Sequence, residues 1–370
     1  MKYYIIAGEA SGDLHGANLM NALYQEDPKA DIRFWGGDLM QAAGGTLVKH
    51  YKDLAFMGFI EVLFNLKTIL NNISIAKKDI LEFQPDVIVF IDYPGFNLRI
   101  AKWAKTLGIK THYYISPQIW AWKENRIKDI KRDVDKMYVI LPFEKDFYEN
   151  KHHYPVDFVG HPLIDAIHNQ PQVDGAVFRK ENHLNDQPII AILPGSRKQE
   201  ITKMLSLMLS IVHDFPDYQF VIAGAPSQEF SFYEKFITNN NIKFISNKTY
   251  ALLQNATAAL VTSGTATLET ALFKVPEVVC YKGSWASYQI AKRIITLKYI
   301  SLVNLIMDQE VVAELIQDDC TTQRIKEELT KILEGEQRSK LLAQYNQLEQ
   351  KLGGKGASQK TAQLIVADLK

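Results

Sequence analysis

A chain of 370 residues that is 47% hydrophobic has material for two cores, and 42 basic residues against 42 acidic ones leave no net field to gather nucleic acid. Its two cysteines, Cys280 and Cys320, exclude a disulfide framework or a cysteine metal cluster and point to a reducing compartment. No apolar stretch reaches the roughly 20 residues needed to cross a bilayer, and residues 1–7 lead into a strand without a signal-peptide pattern.

In chain order, apolar runs predict strands at 3–7, 32–35, 87–91, 110–115, 136–141 and 157–159, with helix-like stretches such as 97–107 and 144–149 between them. A polar, proline-bearing stretch from His161-Pro162 to Pro188 reads as the interdomain linker. The pattern restarts with strands at 189–193, 219–223, 243–245, 259–262 and 277–281. From Thr321 onward the chain reads helical, broken at Gly353, Gly354 and Gly356 before a last amphipathic helix over 358–369. Strands alternating with helices predict βαβ units and parallel sheets. The expectation is an α/β protein of two Rossmann-like domains facing a cleft, 1–165 and 166–345. Helices over 346–370 then pack back on the first domain or on a second chain as a homodimer.

Two loops share the order buried strand, glycine turn, polar helix start, which exposes backbone N–H groups at a strand's C-terminal end. The first is Gly8-Glu9-Ala10-Ser11-Gly12-Asp13, where Asp13 reads as the cap of a helix from Leu14. Glu9 stands between a substrate contact and a loop anchor. The second is Pro194-Gly195-Ser196-Arg197; glycine admits close approach and Arg197 offers a charged fork suited to phosphate. Downstream, Ser263-Gly264-Thr265 opens another helix. Its N–H groups and hydroxyls suit a diphosphate, and Glu269 could accept both hydroxyls of a ribose. Ordinary capping explains either loop alone; the two together favour a nucleotide diphosphate.

In the first half, Asp92 ends the run Val89-Phe90-Ile91 before Pro94-Gly95. Partial desolvation would raise its pKa into the range of a general base; alternatively Asp92 or Asn97 caps the next helix. Ser116-Pro117-Gln118-Ile119-Trp120-Ala121-Trp122 ends another strand, its tryptophans lining a sugar or acyl pocket or belonging to the core. Lys123, Arg126, Lys128, Lys131 and Arg132 follow, as a solvated face or a contact for an anionic head group. Residues 56–70 are apolar around more than one helical stripe. They suit a buried or interface helix, or a patch in the membrane interface that admits acyl chains. Asp133-Val134-Asp135 reads as surface charge, not as a metal site. No Walker-type loop, H-E-x-x-H or G-x-G-x-x-G is present.

Taken together, these segments resemble the lipid-A-disaccharide synthases of Gram-negative bacteria, inverting glycosyltransferases of the two-Rossmann-domain (GT-B) type. The resemblance covers nearly the whole chain. It rests on Ala7 to Asp13, Met57-Gly58-Phe59-Ile60-Glu61-Val62, Pro85 to Asp92, Ser116 to Trp122, Leu141-Pro142-Phe143-Glu144 and Val159-Gly160-His161-Pro162. It continues through Leu193 to Arg197, Ser263 to Glu269 and Leu302-Val303-Asn304-Leu305. The resemblance implies transfer of 2,3-diacylglucosamine from UDP to 2,3-diacylglucosamine 1-phosphate (lipid X), with release of UDP and formation of a β-1,6-linked disaccharide 1-phosphate. It implies no metal and no cofactor, and a peripheral enzyme on the cytoplasmic face of the inner membrane.

Asp92 matches the family's essential aspartate, with Glu9 beside it as the second catalytic candidate. Arg197 and Asn304 match positions on the UDP side, with Gly195, Ser196, Ser263, Gly264, Thr265 and Glu269. Ser11, Gly12, Asp13, Met57, Ile60, Leu63, Phe64, Gln118 and Trp120 fall to the acceptor and acyl side. Many family members carry a second acidic residue three positions after this aspartate; here it is Gly95, so Asp92 must act alone or with Glu9. A UDP-sugar 2-epimerase, acting on a soluble sugar, and a non-enzymatic lipid-binding protein using the apolar segment are the competing expectations.

Overall fold

The computed structural model describes residues 1–54, 66–225, 228–283 and 298–370. The chain divides into two compact units, residues 1–166 with 352–370, and residues 167–351.

Unit 1 runs β1 (Lys2–Ala7), α1 (Ala10–Glu26), β2 (Asp31–Gly36), α2 (Asp38–Ala43), β3 (Thr46–His50), α3 (Leu66–Phe83), β4 (Val87–Ile91) and α4 (Pro94–Thr106). It continues with β5 (Lys110–Tyr114), α5 (Ile127–Asp133), β6 (Lys136–Val139), α6 (Pro142–Asp146), β7 (Asp157–Phe158) and α7 (Pro162–His168). The seven strands form one parallel sheet in the order β3-β2-β1-β4-β5-β6-β7. Its centre is fully apolar: every residue of β4 and all of β1 after Lys2 are buried. A strand covered by helices on both faces must read this way, and each fully buried Ile or Val contributes about 1.5–3 kcal/mol.

Unit 2 repeats the architecture with α8 (Gly175–Glu181), β8 (Ile189–Leu193), α9 (Lys198–Leu209), β9 (Gln219–Gly224), α10 (Phe230–Glu234), β10 (Ile242–Ser246) and α11 (Thr249–Asn255). Then come β11 (Ala258–Thr262), α12 (Thr265–Leu272), β12 (Glu277–Tyr281), α13 (Leu302–Met307), β13 (Ala313–Ile316), α14 (Thr322–Leu333) and α15 (Gly335–Lys351). Its six parallel strands lie in the order β10-β9-β8-β11-β12-β13. The last helix, α16 (Ala357–Leu369), returns to unit 1 and packs on α1. Gln359 and Gln363 Nε2 donate to Glu26 Oε1, and Asp165 accepts the N–H groups of Gly356 and Ser358.

The sheet orders locate the switch point of each unit. In unit 1 the chain lays down β1 to β3 in one direction and then resumes at β4 on the other side of β1. In unit 2 the same reversal falls between β8 and β11. At such a switch point the two flanking loops diverge above the C-terminal ends of adjacent strands and leave a crevice.

Candidate active site

The unit 1 switch point is flanked by the loop after β1, with Gly8 and Glu9, and the loop after β4, with Asp92 and Tyr93. Asp92 (φ +44°) and Tyr93 (φ +49°) are successive non-glycine residues in the left-handed region. Such residues cost on the order of 1–3 kcal/mol each and persist only where neighbours fix them. The brace is visible. The Asp92 carbonyl accepts from Asn97 Nδ2 at 2.7 Å and from the Tyr113 hydroxyl at 2.6 Å, and the Tyr93 carbonyl accepts from Phe96 and Asn97 N–H. The Tyr93 ring lies flush on Gly8, where a Cβ would come within 2.3 Å of it, and stacks on Phe96 with centroids 5.8 Å apart. Asn97 is thus a buried brace of the Asp92 turn. α4 itself starts at Pro94, whose missing N–H costs a helix start nothing.

The brace leaves the Asp92 carboxyl half-buried, and desolvation, reinforced by the charge of Glu9, pushes its pKa up to about 6. Glu9 is exposed, precedes α1 as its N-cap residue, and makes no capping hydrogen bond with its side chain. These are the two carboxylates that flank the switch point.

The other unit 1 candidates divide. α1 begins at Ala10, so Asp13 does not cap a helix from Leu14. Its buried carboxylate accepts the N–H groups of Gly37, Leu39 and Met40 and so caps α2 instead. Gly12 packs under Ala7, whereas Ser11 and Gln118 are exposed. Trp120 donates Nε1–H to Glu144 and meets Phe143 edge-on with centroids 4.8 Å apart. Glu144, which the sequence reading placed in a family segment without a role, is buried with Ser116, Trp120 and the N–H groups of Ile140 and Leu141 on its two oxygens. Its Oε2 takes the Leu141 N–H just before α6, half of a capping box without the Ser or Thr that would have announced it in the sequence. Asp133 is not surface charge: it is buried and held by Arg132. Met57, Ile60, Leu63 and Phe64 lie outside the described residues.

In unit 2 the loops after β8 and β11 adjoin. Gly195 has φ +103°, and a Cβ there would lie 3.1 Å from Glu200 Oε2 and 3.6 Å from Thr262 Cγ2, so glycine keeps the two loops close. Ser196 follows in the same turn. Arg197 precedes α9 as its N-cap residue; its side chain is 71% exposed and, among the described residues, forms an ion pair only with Glu200, loosely, at 3.8 Å. Across from it, Gly264 and Thr265 open α12 exposed, while the buried Thr262 hydroxyl has no partner. Ser263 Oγ donates to the Ile300 carbonyl. Two helix N-termini and an exposed, loosely paired guanidinium form an arrangement that suits an anion. Glu269, in α12, accepts from Tyr250 Oη at 3.1 Å, and burial raises its pKa.

Asn304 does not face a ligand. It is fully buried; its Nδ2 donates to the Val312 carbonyl and Glu314 Oε1, and its Oδ1 accepts from the Val311 and Val312 N–H groups. With every polar atom engaged it has nothing to offer UDP. Glu314, missed in the sequence, takes the N–H groups of Ile300 and Ser301 at 2.9 Å each. Asn304 and Glu314 thereby hold the segment on which Ser263 rests. Among the described residues no three His, Cys, Asp or Glu side chains converge as a metal site.

Two parallel Rossmann-like sheets, each with its own switch point, make up the GT-B architecture. Solved structures share this fold: the Staphylococcus aureus MnaA–UDP structure (TM-score 0.71, 14% identity, 100% of this chain and 97% of that one) and a Neisseria meningitidis UDP-GlcNAc 2-epimerase bound to UDP-GlcNAc (TM-score 0.67, 14% identity, 100% and 99%). At those identities they establish architecture alone. The lipid-A-disaccharide synthetase family profile matches residues 3–367. A lipid-A-disaccharide synthase of Coxiella burnetii is 39% identical over 98% of this chain and 96% of its own, and one of Idiomarina loihiensis is 39% identical over 98% and 97%. The chain belongs to the lipid-A-disaccharide synthase family.

Proposed function

We infer that the chain transfers 2,3-diacylglucosamine from its UDP donor to the 6-hydroxyl of 2,3-diacylglucosamine 1-phosphate, releasing UDP and forming the β-1,6 disaccharide 1-phosphate. The observation that carries the reading is Asp92: a strained, braced carboxylate at a switch point, with a pKa of about 6. A base near that value is largely ionised at neutral pH yet still basic enough to take a proton from the attacking hydroxyl. Glu9 keeps that pKa up by its charge. On unit 2, the N-termini of α9 and α12 and Arg197 stabilise the charge gathering on the departing diphosphate, and Glu269 receives the ribose. Asn304 acts through the loop it holds.

That division of labour assigns leaving-group stabilisation to protein groups. The expected result is radiolabel transfer from UDP-2,3-diacylglucosamine to lipid X at an undiminished rate in EDTA, with one UDP released per disaccharide. A rate that collapses in EDTA and returns with magnesium overturns that assignment. A UDP-sugar altered with no acceptor present favours the epimerase.

Both substrates carry acyl chains, and residues 56–70 supply an apolar segment on the acceptor unit. Among the described residues no helix is long and apolar enough to cross a membrane. We place the enzyme peripherally on the cytoplasmic face of the inner membrane, with this segment as its contact. Replacing Ile60, Leu63, Phe64 and Leu66 by serine should release the protein from sedimented vesicles and cut activity on long-chain substrate severalfold. Unchanged recovery and activity would reject the contact.

A further inference from the structure

A cationic side chain gives a phosphate-bearing acceptor its strongest hydrogen bonds, whereas the unit 1 switch point offers two carboxylates, Glu9 and Asp92, which repel it. The loops beyond the C-terminal ends of the seven strands are short of alternatives. Lys52, after β3, is paired with Asp38. His161, after β7, is buried, accepts from Leu163 N–H, and has its pKa pushed down to about 3 by that burial, so it is neutral. Residues 55–65 contain no Lys, Arg or His. The loop after β5 remains, with Lys123 and Arg126, and among the described residues neither forms an ion pair. Glu124 between them is taken by Lys151 and His152.

This loop is built rather than merely exposed. It leaves β5 through Ile115, a β-branched residue at φ +63°. Ser116 and Trp120 are pinned to Glu144, and the Tyr148 hydroxyl donates to the Pro117 carbonyl. Lys123 is itself left-handed at φ +58°, and its carbonyl accepts from Arg126 N–H at 3.0 Å. Trp122, 47% exposed, lies under both cations, with Lys123 Nζ 4.2 Å and the Arg126 guanidinium 6.0 Å from its ring centroid. Strain of this kind is retained where a loop must present a fixed surface. β5 adjoins β4, so this loop and the Asp92 turn rise from neighbouring strands of one sheet.

We propose that Lys123 and Arg126, set over Trp122, are the acceptor-phosphate clamp, the residues by which the enzyme requires a 1-phosphorylated acceptor. The proposal rests on the transferase reading above. Its test compares 2,3-diacylglucosamine with and without the 1-phosphate as acceptor in detergent micelles, at saturating UDP donor. In K123Q/R126Q we expect the KM for the phosphorylated acceptor to rise about 100-fold, roughly tenfold for each charge-assisted hydrogen bond lost. The kcat should stay near wild type, and the preference over the dephosphorylated acceptor should vanish. An unchanged melting temperature, and wild-type kinetics in K102A, a cation further along α4, should accompany this result.

A double variant that folds and keeps the preference overturns the clamp. So does one that loses binding to anionic phospholipid vesicles while still discriminating between acceptors, which would make the loop a membrane contact. No disaccharide from wild type with either acceptor would instead overturn the transferase reading.

Discussion

Asp92→Asn should turn over at least about 100-fold more slowly than wild type, the ordinary scale of a lost general base. The substitution is clean because asparagine, like aspartate, tolerates the left-handed backbone that position 92 adopts at φ +44°. The Asp92 carbonyl would still receive Asn97 and Tyr113, so the melting temperature should hold. The pH profile supplies a second signature. With its pKa raised to about 6, Asp92 is protonated and inactive as a base below that value. Wild-type kcat/KM should therefore fall tenfold per unit of acidification below about pH 6, and that limb should be absent from the variant. Glu9→Gln removes a negative charge that opposes ionisation of Asp92, so it should move the limb to lower pH. An Asp92→Asn enzyme with near-normal turnover would remove Asp92 from the chemistry.

Arg197→Ala should lower kcat by about 100-fold or more, as losing one donor aimed at a developing negative charge does elsewhere. Arg197 stabilises little in the folded protein. It is 71% exposed and its single ion pair is long, and such pairs are worth about 0–1 kcal/mol. Stability should consequently be unmoved while the rate collapses, the combination that separates a functional arginine from a structural one. Arg197→Lys should recover only part of the loss, because a point charge replaces a fork that fits two phosphate oxygens at once. Steady-state kinetics beside a thermal melt decides the matter; a kcat within threefold of wild type would assign the diphosphate to the helix N-termini alone.

Central strands are legible in the sequence because a parallel sheet buries both faces, and β1, β4, β8 and β11 read as unbroken apolar runs. β3, with the sequence TLVKH, and β13, with AELI, escaped notice for the complementary reason. They are edge strands, only partly buried, with polar residues interleaved. Two Rossmann-like halves were thus visible, and with them the loops at strand ends.

What lay hidden was set by partners distant in sequence. Asp13 looks like the cap of its own helix, yet its hydrogen bonds go to residues 37, 39 and 40. Asn304 looks like a ligand contact, yet its four bonds close on residues 311, 312 and 314. A polar residue in a motif advertises that it is needed, not whether the need is a substrate or a backbone. The left-handed turn at Asp92 and Tyr93 is likewise invisible locally, since neither residue type demands it and only Asn97, Tyr113 and Gly8 together impose it.

The return of α16 to unit 1 has a consequence for biosynthesis. Unit 2 is one uninterrupted stretch, 167–351, whereas unit 1 is assembled from both ends of the chain. Domains usually mature in the order in which the ribosome delivers them, but here the second unit is fully delivered while the first still awaits its final helix. Until that helix emerges, the face of α1 that it covers stays open to water, to chaperones and to proteases. A nascent chain released before α16 would carry a complete unit 2 and an unfinished unit 1. Unit 1 is thus completed only by a helix that follows the whole of unit 2.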